Sequence, residues 1–181
     1  MFISLFPNQQ PINRYPWLTK DYLDSLFILN EETGDLYWKR DFQNGIRSGD
    51  LAGTDEPGPR LGERGYRVIG LNHRTIRAHI IVWLMTRGFY PPYALDHIDQ
   101  DRGNNRPDNL RLATPRQNAA NSRLSSRNKT GHRGVSYDKQ NRRYRADCCH
   151  VCLGYFHTAT EAAAAYRTAA KEVFGDFARF A

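Results

Sequence analysis

The sequence predicts an α+β chain. A β-rich N-terminal portion ends in a unit of two strands and a helix, and a small three-stranded antiparallel sheet packed on one helix follows it. Three observations carry this. Two short apolar runs, 94–98 and 110–112, flank a Gly/Asn-rich stretch and lead into a capped helix start at Thr114. A polar, basic stretch over 119–131 interrupts the apolar patterning. Three further short strand-like runs and one helical repeat fill 132–181.

Taken in order, residues 1–20 are rich in Pro and Asn and read as irregular, and 22–29 is apolar enough for a short helix or strand. Glu31 to Asp35 is a turn, so 27–29 and 36–38 pair as a hairpin. Residues 41–64 hold many Gly, Pro and charged side chains and read as a long loop. A second hairpin joins 66–71 to 75–78 through Asn72, His73 and Arg74, and 80–85 is a short helix ending near Gly88. The run 94–98 is a strand, and 99–106, with Gly103, Asn104 and Asn105, is a loop. Leu110 and Leu112 alternate with Asn109 and Arg111, which puts both leucines on one face of a second strand. Thr114 is an N-cap, Pro115 suits the first helical position and Gln117 completes a capping box, so Asn118 falls in the first turn. Beyond it, 119–131 reads as a linker. Strands follow at 134–137, 143–146 and 153–156. Thr158 and Glu161 form another capping box; Ala162, Tyr166, Ala169 and Val173 recur at helical spacing, and Gly175 stops the helix. Alternation along the middle strand turns Tyr144, Ala146 and Cys148 to the helix and Arg143, Arg145, Asp147 and Cys149 away from it.

The chain has 181 residues, a formal charge of +7 and a pI near 9.5. The excess is local: Arg111 to Arg145 holds ten Lys/Arg and one acid, Asp138. Such a block favours an anionic partner, nucleic acid above all. No segment approaches the roughly 20 apolar residues of a membrane helix. The first residues lack the positive flank and cleavage site of a signal peptide. Three cysteines, Cys148, Cys149 and Cys152, form no even disulfide framework, which fits a reducing, cytoplasmic setting.

The string Asp96-His97-Ile98-Asp99, followed by Asn109 and Asn118, offers a carboxylate, an imidazole and two carboxamides. A hard divalent cation takes oxygen ligands, and a hydrolase needs a base that titrates near neutrality. A nuclease using water needs both. These residues resemble the HNH nuclease motif, in its homing-endonuclease branch, and the resemblance runs from Leu95 to Asn121. It implies a ββα-metal nuclease domain over 1–118, with Asp96 and Asn118 as metal ligands and His97 as general base. Asn109 would orient the imidazole through its carboxamide oxygen. The metal would be Mg²⁺, with Mn²⁺ as the alternative. Arg111 would hold a non-bridging phosphate oxygen, sit in a salt bridge or be plainly solvated. His79, ahead of an apolar run, reads as structural, Asp99 and Asp101 as solvated loop carboxylates, and Asn104, Asn105 and Asn121 as turn or helix-surface residues.

Residues 132–181 resemble the AP2 DNA-binding domain through Arg133-Gly134-Val135, Tyr144, Leu153-Gly154-Tyr155-Phe156, Thr158, Glu161-Ala162-Ala163, Ala165-Tyr166, Ala169-Ala170 and Phe174-Gly175. The family lays its sheet in the major groove of double-stranded DNA. Arg143 and Arg145 would then contact bases or phosphate, Ser136 would face outward, and Arg133 and Lys139 would hold phosphates. The chain departs from the family at Ser136, Asp138, Cys149, His150 and Cys152, which puts the family's usual target sequence in doubt. Cys149 and Cys152, with His150 and His157, have the spacing of half a zinc site. The reading is a site-specific DNA endonuclease, monomeric or homodimeric. A DNA-binding regulator with an inactive nuclease scaffold and a non-specific nuclease are the rivals.

Overall fold

The computed structural model describes residues 14–43, 45–58, 62 and 64–180. Residues 1–13, most of the stretch expected to be irregular, lie outside the described residues, and so do five positions of the 41–64 stretch. The chain forms two compact units, Met1–Ala113 and Thr114–Ala181.

In the first unit Thr19 caps helix α1 (Lys20–Leu26) by accepting the Tyr22 N–H. The helix runs straight into strand β1 (Phe27–Asn30), so the segment expected to be helix or strand is both. β1 pairs antiparallel with β2 (Asp35–Trp38), Phe27 opposite Trp38. The intervening turn is held by the Asn30 carboxamide oxygen, which accepts the N–H groups of Glu32 and Thr33.

The long loop expected over 41–64 contains a strand, β3 (Thr54–Pro57). It forms one edge of a sheet with β4 (Arg64–Leu71) and β5 (Arg74–Arg77). All four of its residues are exposed, so it carries no apolar alternation. Backbone pairing and a fork from Arg67 to the Asp55 carboxylate, 2.8 and 3.1 Å, hold it instead. Pro57 lies beside a register break, as a proline in an edge strand does. The β4–β5 hairpin turns at Asn72 and His73, φ 46° and 58°. Helix α2 (Ala78–Arg87) ends at Gly88, which takes the left-handed conformation and donates its N–H to Leu84.

Strands β6 (Ala94–His97) and β7 (Leu110–Ala113) form an antiparallel hairpin. Leu110 is buried in the core built by Leu23, Leu26, Phe27, Leu36, Ile69, Ile76, Ile81 and Val82, with Leu95 and Leu112 packed against it. At roughly 1.5–3 kcal/mol per fully buried side chain, that packing fixes the hairpin to the rest of the unit. The alternation expected of Leu110 and Leu112 thus anchors the strand that carries Arg111.

The second unit opens with α3 (Pro115–Asn121), capped by the reciprocal bonds of Thr114 and Gln117 that the sequence predicts. Strands β8 (Val135–Asp138), β9 (Arg143–Cys148) and β10 (Val151–Phe156) form a sheet with β9 central, and α4 (Ala159–Phe174) packs on it. The Thr158–Glu161 capping box and the stop at Gly175 are present. Ala146 and Cys148 are buried toward α4, as alternation requires. The apolar stripe of α4 departs from expectation: Ala162, Ala163, Tyr166 and Ala170 are buried, whereas Val173 is 49% exposed. Within the expected linker, 128–132 is a built turn. The Asn128 carboxamide oxygen accepts the N–H groups of Thr130 and Gly131, and the Thr130 hydroxyl donates to carbonyls of His132 and Val135.

Candidate active site

β6 ends in Asp96 and His97, both buried. Asp96 lies opposite Arg111 across the hairpin, and Arg111 Nε donates to Asp96 Oδ2 at 3.0 Å. Of the three roles open to Arg111, the structure therefore displays the salt bridge. His97 lies opposite Leu110 at the mouth of the 98–109 loop. Its Nε2 sits 3.2 Å from the Asn105 carboxamide oxygen. Asn105 is only 3% exposed, so it is not the turn-surface residue the sequence suggests.

The expected bond from Asn109 to the imidazole is replaced by an indirect arrangement. The Asn109 oxygen accepts the Asp99 backbone N–H at 3.1 Å, and its amide donates to the Asp99 carboxylate and the Asn104 carbonyl, at 3.0 and 2.8 Å. Asp99 accepts two more bonds, from the Asn104 amide and the Asp101 N–H. Asn109 and Asp99 are thus the cross-brace of the loop, and the loop delivers Asn105 to the ring. Burial pushes the pKa of the Asp99 carboxyl up, but the bonds from Asn104, Asn109 and Asp101 outweigh it and hold the carboxyl below its usual range.

A second prop lies under this loop. Gly34, φ 76° in the β1–β2 turn, presses on the peptide between Asn105 and Arg106, where any Cβ would collide with backbone. Nothing in the local sequence links Gly34 to position 105, so only the folded chain discloses the contact.

The imidazole is packed as well as bonded. His79, on α2, meets His97 edge-on with centroids 5.1 Å apart, and Tyr66 on β4 contacts both rings. Burial lowers the pKa of His79 to about 3, helped by the neighbouring His97 and Arg77, so it is neutral and structural as expected. Burial also lowers that of His97, against the opposing pull of the Asn105 bond and of Asp99, Asp96 and Asp101. A neutral imidazole near pH 7 is in the state a general base requires. With Asn105 Oδ1 accepting at Nε2, the ring proton resides there and the basic lone pair lies on Nδ1.

The donor set suits a hard divalent ion, since a buried carboxylate stands beside a neutral imidazole and no thiol is near by in sequence. Among the described residues no group of three or more His, Cys, Asp or Glu is placed to hold a metal. An ion of the Mg²⁺ type does not need such a group, because it keeps water and takes substrate oxygens. Asn118 belongs to the second unit, exposed on α3, its N–H donating to Thr114.

Residues 77–120 match the family model described as HNH endonuclease. "Protein 3.8" of Escherichia phage T7 is 35% identical over 115 residues, covering 60% of this chain and 93% of its own length. An uncharacterized HNH endonuclease of Acanthamoeba polyphaga mimivirus is 39% identical over 129 residues, 65% of this chain and 63% of its own length. The chain belongs to the HNH endonuclease family. No solved structure matches it. Membership assigns the chain to the nucleases, and the matched HNH segment contains every residue of the Asp96–His97–Asn105–Asn109 cluster.

The residues expected to meet DNA lie in the second unit. Ser136, Arg145 and Tyr155 form one cross-strand row, and Asp138 lies opposite Arg143. Ser136 and Lys139 are exposed. Arg145 is ion-paired with Asp147 at 2.6 Å, and Arg143 contacts His157 Nε2 at 2.7 Å. Arg133, expected to hold phosphate, instead donates to the carbonyls of Ala119 and Ser122 and so closes the C-terminal end of α3. The zinc arrangement is absent among the described residues. Cys149 and His150 form the β9–β10 turn with φ 53° and 67°, Cys152 lies opposite Asp147, and His157 faces Arg143.

Proposed function

We propose that this chain is a site-specific, metal-dependent DNA endonuclease of homing type. The observation that carries the reading is the neutral, buried His97 imidazole, held at Nε2 by Asn105 beside the Asp96 carboxylate. In this reading His97 Nδ1 removes a proton from the attacking water, and Asn105 keeps the ring in the tautomer that allows it. Asn109 and Asp99 keep Asn105 in place. Asp96, with its charge shared by Arg111, would hold a divalent cation, Mg²⁺ or Mn²⁺. Asn118 is retained as the second ligand on the sequence resemblance alone. When bound, such an ion supplies stabilisation of the charge that develops on the scissile phosphate and leaving oxygen.

The second unit would supply DNA contact. A sheet face bearing Ser136, Arg143 and Arg145, uncovered by α4, supports the AP2-like reading, with Lys139 as a phosphate contact. Phage and viral relatives fit work in a host cytoplasm, and no described helix is long and apolar enough to cross a membrane.

The test is to incubate the protein and Mg²⁺ with a long duplex labelled on each strand, then map products on a denaturing gel. Discrete products are expected, and the pattern on the two strands separates nicking by a monomer from double-strand cutting by a dimer. His97→Ala should abolish cutting and leave gel-shift affinity intact. Dispersed fragments would replace this reading with a non-specific nuclease. Binding without any cutting by the wild type would replace it with a DNA-binding regulator.

A further inference from the structure

Tyr66 collects two cations next to the candidate base. The guanidinium carbons of Arg77 and Arg102 lie 4.2 and 4.8 Å from its ring centroid, and the same centroid is 6.0 Å from that of His97. The arginines come from different places, Arg77 from the end of β5 and Arg102 from the loop after β6. Some other arginines of this unit hold carboxylates, as Arg67 holds Asp55, Arg106 holds Asp108 and Arg111 holds Asp96, whereas Arg40 and Arg87 lie singly over Phe42 and Trp83. Among the described residues Arg77 and Arg102 are ion-paired to none. Arg77 is exposed and Arg102 half-buried.

Two like charges gathered on one ring repel each other, and a protein carboxylate would relieve that repulsion. A ring face offers each guanidinium an attraction that leaves its N–H edge open for an anion. A planar fork of N–H donors matches the oxygens of a phosphate. Arg102 is also carried by the loop that Asp99 and Asn109 brace, which presents Asn105 to His97. Imidazole and guanidinium therefore share one mounting.

We propose that Arg77 and Arg102, stacked on Tyr66, grip backbone phosphates of DNA beside the bond attacked by way of His97. This rests on the endonuclease reading above. Tyr66 is the positioning residue and the arginines are the groups that touch substrate.

The test uses the full chain with two readouts: binding of a fluorescent duplex across a salt series, and single-turnover cleavage with Mg²⁺. Arg77→Gln and Arg102→Gln should each reduce the slope of log affinity against log salt by about 0.9, one phosphate contact. Each should slow cleavage roughly tenfold or more, because the phosphate is no longer held in line. Tyr66→Leu should reproduce both losses, and Tyr66→Phe, which keeps the ring, should restore wild-type behaviour. Thermal melting identifies a variant that fails to fold, and Arg102→Lys, a mild change in a loop, then stands in for it. It should keep the slope yet still slow cleavage. Unchanged slopes in both glutamine variants, or an unaffected Tyr66→Leu, overturn the clamp. A wild type that binds without cutting overturns the endonuclease reading and leaves the clamp to be judged by the slopes. A wild type that does neither overturns both.

Discussion

Asn105 and His79 set the chemistry of His97 from opposite directions, one by a hydrogen bond and the other by packing. Asn105→Ala removes the acceptor at Nε2 and leaves a buried ring donor unsatisfied, which costs about 1–3 kcal/mol. It also frees the ring to change tautomer, so the cleavage rate should fall by up to about 10²-fold with DNA affinity unchanged. Single-turnover rates beside a binding titration check this. His97 has its pKa lowered from 6.5, so cutting should hold down to that pH and decline only below it, as a pH–rate profile would read out. His79 links burial to stability. Its pKa is about 3 in the folded chain and 6.5 when released, so below pH 6.5 the unfolded chain binds a proton that the folded one refuses. Stability is therefore complete above pH 6.5 and falls toward pH 3, by up to ~1.4 kcal/mol per pH unit. His79→Phe should flatten that dependence, visible as a smaller loss of melting temperature between pH 7 and pH 5.

At the scale of elements, the site hairpin depends on a turn that lies about sixty residues upstream of its first strand. Gly34→Ala forces a side chain both into the left-handed region and onto the Asn105–Arg106 peptide. A loss of more than about 1 kcal/mol in stability is expected, with slower cutting because Asn105 must shift. Urea denaturation and cleavage rates measure the two effects. Elements with a chemical signature were legible in the sequence. The capping boxes at Thr114 and Thr158, the stop at Gly88 and the alternation of Leu110 with Leu112 each left a pattern of residue types. β3 was not legible, because its residues Thr54 to Pro57 are all exposed and its hold comes from backbone and an ion pair. The Asp96–His97 pair could be singled out from its chemistry. The distinction between Asn105 and Asn109 could not, since both are asparagines in one loop and only the fold decides which carboxamide reaches the ring.

Over the whole molecule, the basic block from Arg111 to Arg145 is less available than its charge suggests. Arg111 is held by Asp96, Arg145 by Asp147, and Arg133 by the carbonyls of α3. Arg143→Gln with Arg145→Gln should weaken DNA binding and lower the salt slope by no more than about 2, read by anisotropy. Removal of 132–181 is a harsher change than loss of a DNA contact, because Arg133 leaves with it and the carbonyls at the end of α3 lose their side-chain cap. Such a truncation should therefore cut poorly as well as choose sites poorly.

The pressure of Gly34 on the Asn105 peptide sets a limit on reuse of the motif. A segment lifted from 94 to 121 and grafted onto a foreign scaffold would carry Asp96 and His97 but leave behind the wedge against which the Asn105 peptide rests. Portability of this nuclease centre thus begins at the first hairpin, and a transplant that omits it should arrive inert.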